Sequence, residues 1–115
     1  MVNPGHLVGF GGMLGAVLRH LVSGAVERDS FPVGTLAVNV VGSFVLGFVT
    51  FLGVGSDVLL FVGTGACGSF TTFSSFSYDT VRLWERGDRW KSVANALVNL
   101  VGAVLAIGLA WLLAP

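Results

Sequence analysis

Four long apolar stretches constrain the fold of this chain more than any other feature of its sequence. They lie at about residues 5–26, 31–54, 58–78 and 93–113. A helix crosses the core of a bilayer with about 20 mostly apolar residues. The 115 residues include only six basic and six acidic side chains, which are too few to coat a small soluble domain. We therefore predict an all-α membrane protein, in which residues 1–115 form a single transmembrane domain with four spans.

The composition also argues against several classes of function. The formal net charge is zero, so no basic surface for nucleic acid is expected. Cys67 is the single cysteine and can form neither an internal disulfide nor a multi-cysteine metal site. His6 and His20 have no evident nucleophile and orienting acid beside them. A G-x-G-x-x-G pattern at 63–68 lacks the βαβ context of a dinucleotide site, so we expect no enzyme.

The second half of the third stretch is unusually polar for a membrane span. Residues 71–77 carry five hydroxyl groups in seven positions, and glycines occupy positions 63, 65 and 68 just before them. Unpaired polar groups are costly at membrane depth unless they bind ions or line water. One interpretation is a continuous helix whose hydroxyls bond to carbonyls of the preceding turn. The density of hydroxyls after a glycine cluster instead favours a broken helix or an ion path.

Polar residues in the other stretches leave two interpretations open. Thr35, Asn39 and Ser43 are spaced four apart and therefore share one helical stripe. Such a stripe can replace part of an ion's hydration shell, or it can join two helices by hydrogen bonds. Asn95 and Asn99 in the fourth stretch carry the same ambiguity. No lysine or acidic residue lies in the middle of a stretch, and a proton-coupled antiporter usually needs one, so a passive pore is favoured.

Two phenylalanines and one arginine complete the candidate site. Phe73 and Phe76 are three residues apart, so a helix places them on one face. Aromatic ring edges are positive and can meet a small anion, although two core phenylalanines would show the same spacing. Arg19 lies late in the first stretch, where it is either a functional charge or a side chain that snorkels to the interface.

Three motifs, in this order, resemble those of the Fluc (CrcB) fluoride channels. They read GGxxGAxxR at 11–19, GTLxxNxxGSFxxG at 34–47 and GSFTTFSSFS at 68–77. The third is close to the family's G-G-x-T-T-F-S-T-F-S signature. Ser69 and Ser75 depart from that signature, but both are small residues. On these motifs the chain is identified as a member of the family over nearly its whole length.

The resemblance implies a fluoride-selective passive channel in the cell membrane that exports cytoplasmic fluoride. It also implies an antiparallel, dual-topology-type dimer with a broken third helix. A structural sodium ion is expected at the dimer interface on the backbone carbonyls of Gly68 and Thr71, and Arg19 is expected in the vestibule. The expected pore residues are Asn39, Ser43, Thr72, Phe73, Ser75 and Phe76. The alternatives are a coupled transporter of the dual-topology multidrug type, and a subunit that only completes a partner's pore.

Positive charge is distributed unevenly between the two sides of a four-span chain. The side with the first and third loops carries all six basic residues, and the other side carries none. The positive-inside rule therefore places both termini outside the cell. Five acidic residues accompany the six bases, but acidic residues count little in this rule. Since a chain that inserts both ways should show little bias, the charge distribution favours an inverted paralogue as partner over an inverted second copy.

Overall fold

The computed structural model describes residues 2–115, so Met1 of the predicted domain lies outside the described residues. Within these residues all regular structure is helical, and four helical segments are long and apolar enough to cross a membrane. Three of them are the single helices α1 (Pro4–Val26), α2 (Val33–Leu52) and α6 (Arg89–Leu113). The prediction of an all-helical chain with four helical segments of membrane-spanning length is therefore confirmed for the described residues.

The third segment, Ser56–Glu85, is assembled from several shorter pieces. It begins with α3 (Ser56–Val58), continues as a π-helix (Leu59–Cys67) and a short α4 (Gly68–Phe70), and finishes as α5 (Phe73–Glu85). A π-helix inserts an extra residue per turn and is often found at functional sites. This segment is the one in which the sequence concentrates glycines and hydroxyls.

Short polar connections join the helices, and their ends are capped locally. The Asn3 side chain accepts a hydrogen bond from the Gly5 N–H at 2.7 Å and so caps α1. Glu27 accepts one from the Gly34 N–H at 3.3 Å, which places a negative charge at the N-terminus of α2. Helix α2 ends at Gly53, whose φ of 68° is readily adopted only by glycine.

Residues 79–91 form the longest connection expected from the sequence, which could begin as a helical extension of the third stretch; in the structure this charged segment is mostly helical. Helix α5 continues to Glu85, beyond the predicted end near residue 78, and α6 begins at Arg89, before the predicted start near 93. Hydropathy marks only the apolar part of a helix, whereas backbone hydrogen bonding continues into polar sequence. Only a tight turn around Gly87, with φ of 89°, separates the two helices.

Close backbone contacts hold the π-helix against α1. Gly11 and Gly15 are buried on α1, and a Cβ atom on either would lie 2.1 Å from a carbonyl oxygen, that of Phe61 or Ala66. Small residues allow this approach between membrane helices. On the other side, α2 packs against α6, with Val38 and Ala110 completely buried. The site described below lies between these two helix pairs.

Candidate functional site

Two residues of the third segment, Thr71 and Thr72, have extended backbones between α4 and α5. We call this pair the interruption. Asn39 on α2 bonds to both backbone groups of Thr72: its Oδ1 accepts from the Thr72 N–H at 2.7 Å, and its Nδ2 donates to the Thr72 carbonyl at 3.2 Å. The Thr72 hydroxyl accepts from the Ser75 N–H at 3.0 Å and caps α5. Side chains thus satisfy backbone groups that a continuous helix would pair internally.

The same bonds release two backbone carbonyls. In a continuous α-helix the Thr72 N–H would bond to the Gly68 carbonyl, and the Ser75 N–H would bond to the Thr71 carbonyl. Both N–H groups are instead directed to side-chain oxygens. Gly68 also faces open space, because a Cβ built on it would meet no atom of residues 2–115 beyond its own turn within 4 Å. The carbonyls released are those of the two residues predicted to bind sodium.

A groove of about 550 Å³ opens beside the interruption, between α2, α5 and α6. The rings of Phe73 and Phe76 form part of its wall, with centroids 5.7 Å apart and planes inclined by 43°. The Phe73 side chain is 79% exposed. Other predicted pore residues in the lining are Asn39, Ser43 and Thr72, together with Thr71 of the predicted sodium site. The groove therefore brings together five of the six predicted pore residues.

The sixth predicted pore residue, Ser75, lies on the opposite side of the interruption. It lines a smaller cavity of about 170 Å³ with Arg19, Thr35 and Thr72. Among the described residues, no carboxylate oxygen lies within 4 Å of the half-buried Arg19 guanidinium. Thr72 borders both cavities, so the interruption separates an arginine-containing cavity from a phenylalanine-lined groove.

Asn95 and Asn99, whose role the sequence left open, extend the polar network from the groove into the bundle. Asn39 Nδ2 also donates to Asn99 Oδ1 at 3.1 Å, and Asn99 Nδ2 donates to Asn95 Oδ1 at 3.1 Å. Asn95 Nδ2 donates in turn to the Thr80 hydroxyl at 2.9 Å. Sequence reasoning missed Thr80, which lies on a helical continuation that hydropathy does not mark.

A second missed contact joins α2 to α5. The Thr35 hydroxyl donates to Asp79 Oδ2 at 2.8 Å, although Asp79 lies just beyond the third apolar stretch. Asp79 also borders a charged cavity of about 300 Å³, together with Arg82, Arg86 and the turn at 27–32. In the sequence, only the polar stripe on α2 pointed to this contact, because Thr35 lies one helical turn before Asn39 on the same face of the helix.

Comparison with known proteins places the chain in a family. Residues 6–111 match the family model described as CrcB-like protein, Camphor Resistance (CrcB). This chain belongs to the CrcB family. The resemblance inferred from the three motifs is therefore confirmed.

Several curated proteins resemble this CrcB-family chain over nearly their whole length. One from Haloarcula marismortui, named fluoride-specific ion channel FluC 2, is 60% identical over 96% of this chain and 92% of its own. One from Halobacterium salinarum, named fluoride-specific ion channel FluC 1, is 54% identical over the same shares. One from Methanocaldococcus jannaschii, named fluoride-specific ion channel FluC, is 44% identical over 93% of this chain and 90% of its own.

Proposed function

We propose that this CrcB-family protein is a fluoride-selective channel that conducts passively and releases cytoplasmic fluoride across the cell membrane. Its relatives are named fluoride-specific ion channels. The structural observation that carries the proposal is the groove at the interruption. It combines two phenylalanine rings, an amide and hydroxyl groups at the start of α5, and lysine and acidic side chains are absent from its lining.

The groove suits a small anion for three physical reasons. The first-turn N–H groups of α5 have no acceptors within the helix, and the helix dipole favours negative charge there. Phe73 and Phe76 present positive ring edges without a full positive charge that would hold the ion too tightly. Hydroxyls of Ser43 and Thr72 can replace part of the hydration shell, and Arg19 with Ser75 would meet the ion in the cavity beyond Thr72.

Asn39 is the pore residue with the most constrained geometry. Its two Nδ2 hydrogens point to the Thr72 carbonyl and to Asn99 Oδ1. A fluoride ion at Asn39 would therefore have to take one N–H from its present acceptor. Because one hydrogen bond is lost for each one gained, fluoride would bind at Asn39 with only a small gain in free energy. Conduction requires such weak binding, since the ion must also leave the site.

The exposed side of the groove supports a dimer. Phe73 is 79% exposed and Gly68 faces open space, so the groove of a single chain is open on one side and does not enclose a pore. We propose that a second subunit in antiparallel orientation closes this side. The uneven charge distribution favours a paralogue in that role, and the numbered names FluC 1 and FluC 2 of two relatives are what paralogues would produce.

A structural sodium ion is proposed at the Gly68 and Thr71 carbonyls. These carbonyls lose their helical N–H partners at the interruption, and uncharged oxygen ligands suit a hard monovalent cation. Bound sodium would join the two subunits by neutralising converging carbonyl dipoles. Replacing sodium by N-methylglucamine should therefore lower the thermal stability of the dimer, measured as loss of the dimer peak in gel filtration. An unchanged dimer would contradict the sodium site.

Fluoride efflux from liposomes tests the proposed function directly. The purified chain, alone or co-expressed with an inverted paralogue, should release fluoride while retaining chloride, as followed with ion-selective electrodes. Liposomes without protein provide the background. If neither preparation releases fluoride faster than this background, the channel function is wrong; equal fluoride and chloride release would contradict selectivity alone.

A further inference from the structure

Three side-chain amides and one hydroxyl form a continuous hydrogen-bonded ladder behind the groove. The Thr72 N–H donates to Asn39 Oδ1, Asn39 Nδ2 to Asn99 Oδ1, Asn99 Nδ2 to Asn95 Oδ1 and Asn95 Nδ2 to the Thr80 hydroxyl. The Thr80 hydroxyl finally donates to the Phe76 carbonyl at 2.8 Å. We call this chain of bonds the amide ladder. Every bond in it points the same way, from the interruption towards α5.

Backbone groups at two positions determine this direction. The N–H and carbonyl of Thr72 require the Asn39 oxygen and nitrogen, respectively, to face them. The Asn95 backbone carbonyl, which can only accept, takes a hydrogen from Asn99 Nδ2 at 2.9 Å. This bond leaves Asn99 Oδ1 free to face Asn39. A flipped Asn39 amide would place its oxygen against the Thr72 carbonyl, and a flipped Asn99 amide would place its oxygen against the Asn95 carbonyl. The observed orientation is further favoured because aligned hydrogen bonds polarise one another.

Both inner members of the amide ladder are buried, but only Asn95 lies away from the groove, because Asn99 forms part of its lining. Asn95 is 0% exposed and Asn99 is 6% exposed, and Asn95 is not among the residues that line the groove. Every buried side-chain nitrogen and oxygen of the described residues has a hydrogen-bond partner. Asn95 can therefore affect an ion in the groove only through the orientation of its neighbours.

We infer that Asn95 and Asn99 are positioning residues that hold the Asn39 amide on Thr72. Asn39 is the residue on α2 that bonds to both backbone groups of Thr72, and rotation of its amide would leave those groups unpaired at membrane depth. The bond to Asn99 removes this rotational freedom. The amide ladder thereby keeps the interruption extended and holds Asn39 in the groove. The consequence for ion flow rests on the proposed fluoride channel, whereas the consequence for local structure does not.

The test compares substitutions that break the amide ladder with substitutions that do not. Asn95→Leu removes the third amide, and Thr80→Val removes the hydroxyl at the end with little change in shape. Thr80→Ser keeps that hydroxyl. Thr50→Val is the matched control, because the Thr50 hydroxyl donates to the Leu46 carbonyl in an ordinary intrahelical bond outside the ladder. Hydrogen exchange of peptides covering 70–76 and fluoride efflux are measured on the assembled channel in each case.

We expect exchange at 70–76 to be roughly tenfold faster in Asn95→Leu, because Asn99 Nδ2 loses the Asn95 Oδ1 acceptor and keeps only the backbone carbonyl of residue 95, while the hydroxyl of the half-buried Thr80 loses its amide donor. Exchange should be severalfold faster in Thr80→Val. Fluoride efflux should fall in the same order, whereas Thr80→Ser and Thr50→Val should match the unsubstituted protein. If Asn95→Leu does not assemble, Thr80→Val decides the question. Unchanged exchange at 70–76, or an equal increase in peptides of α1, would overturn the positioning role. If the unsubstituted protein releases no fluoride, the channel proposal fails and exchange alone still tests the ladder.

Discussion

Gly42 on α2 packs closely against Thr71 of the interruption, so Gly42→Ala tests how far this contact positions the interruption. A Cβ at position 42 would lie 2.3 Å from Thr71 Cγ2 and 3.3 Å from Phe70 Cδ2. Carbon atoms in contact are normally about 3.5–4.0 Å apart. The Thr71 methyl group must therefore move by more than about 1 Å. It cannot rotate away freely, because the Thr71 hydroxyl donates to the Cys67 carbonyl at 3.0 Å.

The magnitude follows from two opposing effects. Overpacking of this kind costs about 1–3 kcal/mol, and replacing glycine by alanine in a helix returns up to about 1 kcal/mol. The folded protein should therefore lose at most about 3 kcal/mol of stability, or about 2 kcal/mol where the full alanine gain is realised, and should remain folded. Its interruption, however, must shift to relieve the contact. Since about 1.4 kcal/mol corresponds to a factor of ten in a population, we expect fluoride efflux to fall by about tenfold.

The assay is fluoride efflux from liposomes, with gel filtration to verify assembly. Gly108→Ala is the control, since a Cβ at position 108 would meet no atom of the described residues within 4 Å; it should leave efflux unchanged. Thr71→Ser removes Cγ2 but keeps the hydroxyl, so the double substitution Gly42→Ala with Thr71→Ser should restore most of the efflux. Normal efflux in Gly42→Ala, or no recovery in the double variant, would refute the steric argument.

Three further predictions follow from the same structure. Phe76→Ile should slow fluoride efflux severalfold while the protein stays folded, because an aliphatic side chain has no positive edge; unchanged efflux would exclude that role. Gly15→Ala should destabilise the fold by about 1–3 kcal/mol, as its Cβ would lie 2.1 Å from the Ala66 carbonyl oxygen, whereas Gly9→Ala meets no atom of the described residues within 4 Å and should not lower the melting temperature. Cysteines introduced at 79–91 should resist labelling from outside intact cells when this chain is expressed alone, and labelling of about half the molecules would show dual insertion and contradict the heterodimer.

The helix boundaries show where sequence reasoning stops. Apolar length is sufficient to predict four spans, because lipid excludes polar side chains and requires internally paired backbones. The same criterion ended the third stretch near residue 78 and left open how far a helix extends into residues 79–91, since charge and hydropathy do not report backbone hydrogen bonding. The hydrogen bond from the Thr35 hydroxyl to the Asp79 carboxylate is an example. It joins residues 44 positions apart, and no local sequence pattern specifies such a contact.

The candidate site divides in the same way. The membrane environment, the family and the polar character of the third span can be predicted from composition and from short motifs read along the chain. Three features of the site become visible only in the folded chain: the Asn39 side chain bonds to both backbone groups of Thr72, Ser75 lies across the interruption from the groove, and Asn95 and Asn99 continue the network to Thr80. The physical reason is that an amide in a membrane helix must find some partner, and its spacing along the chain says which face it occupies but not which distant backbone group will meet it there.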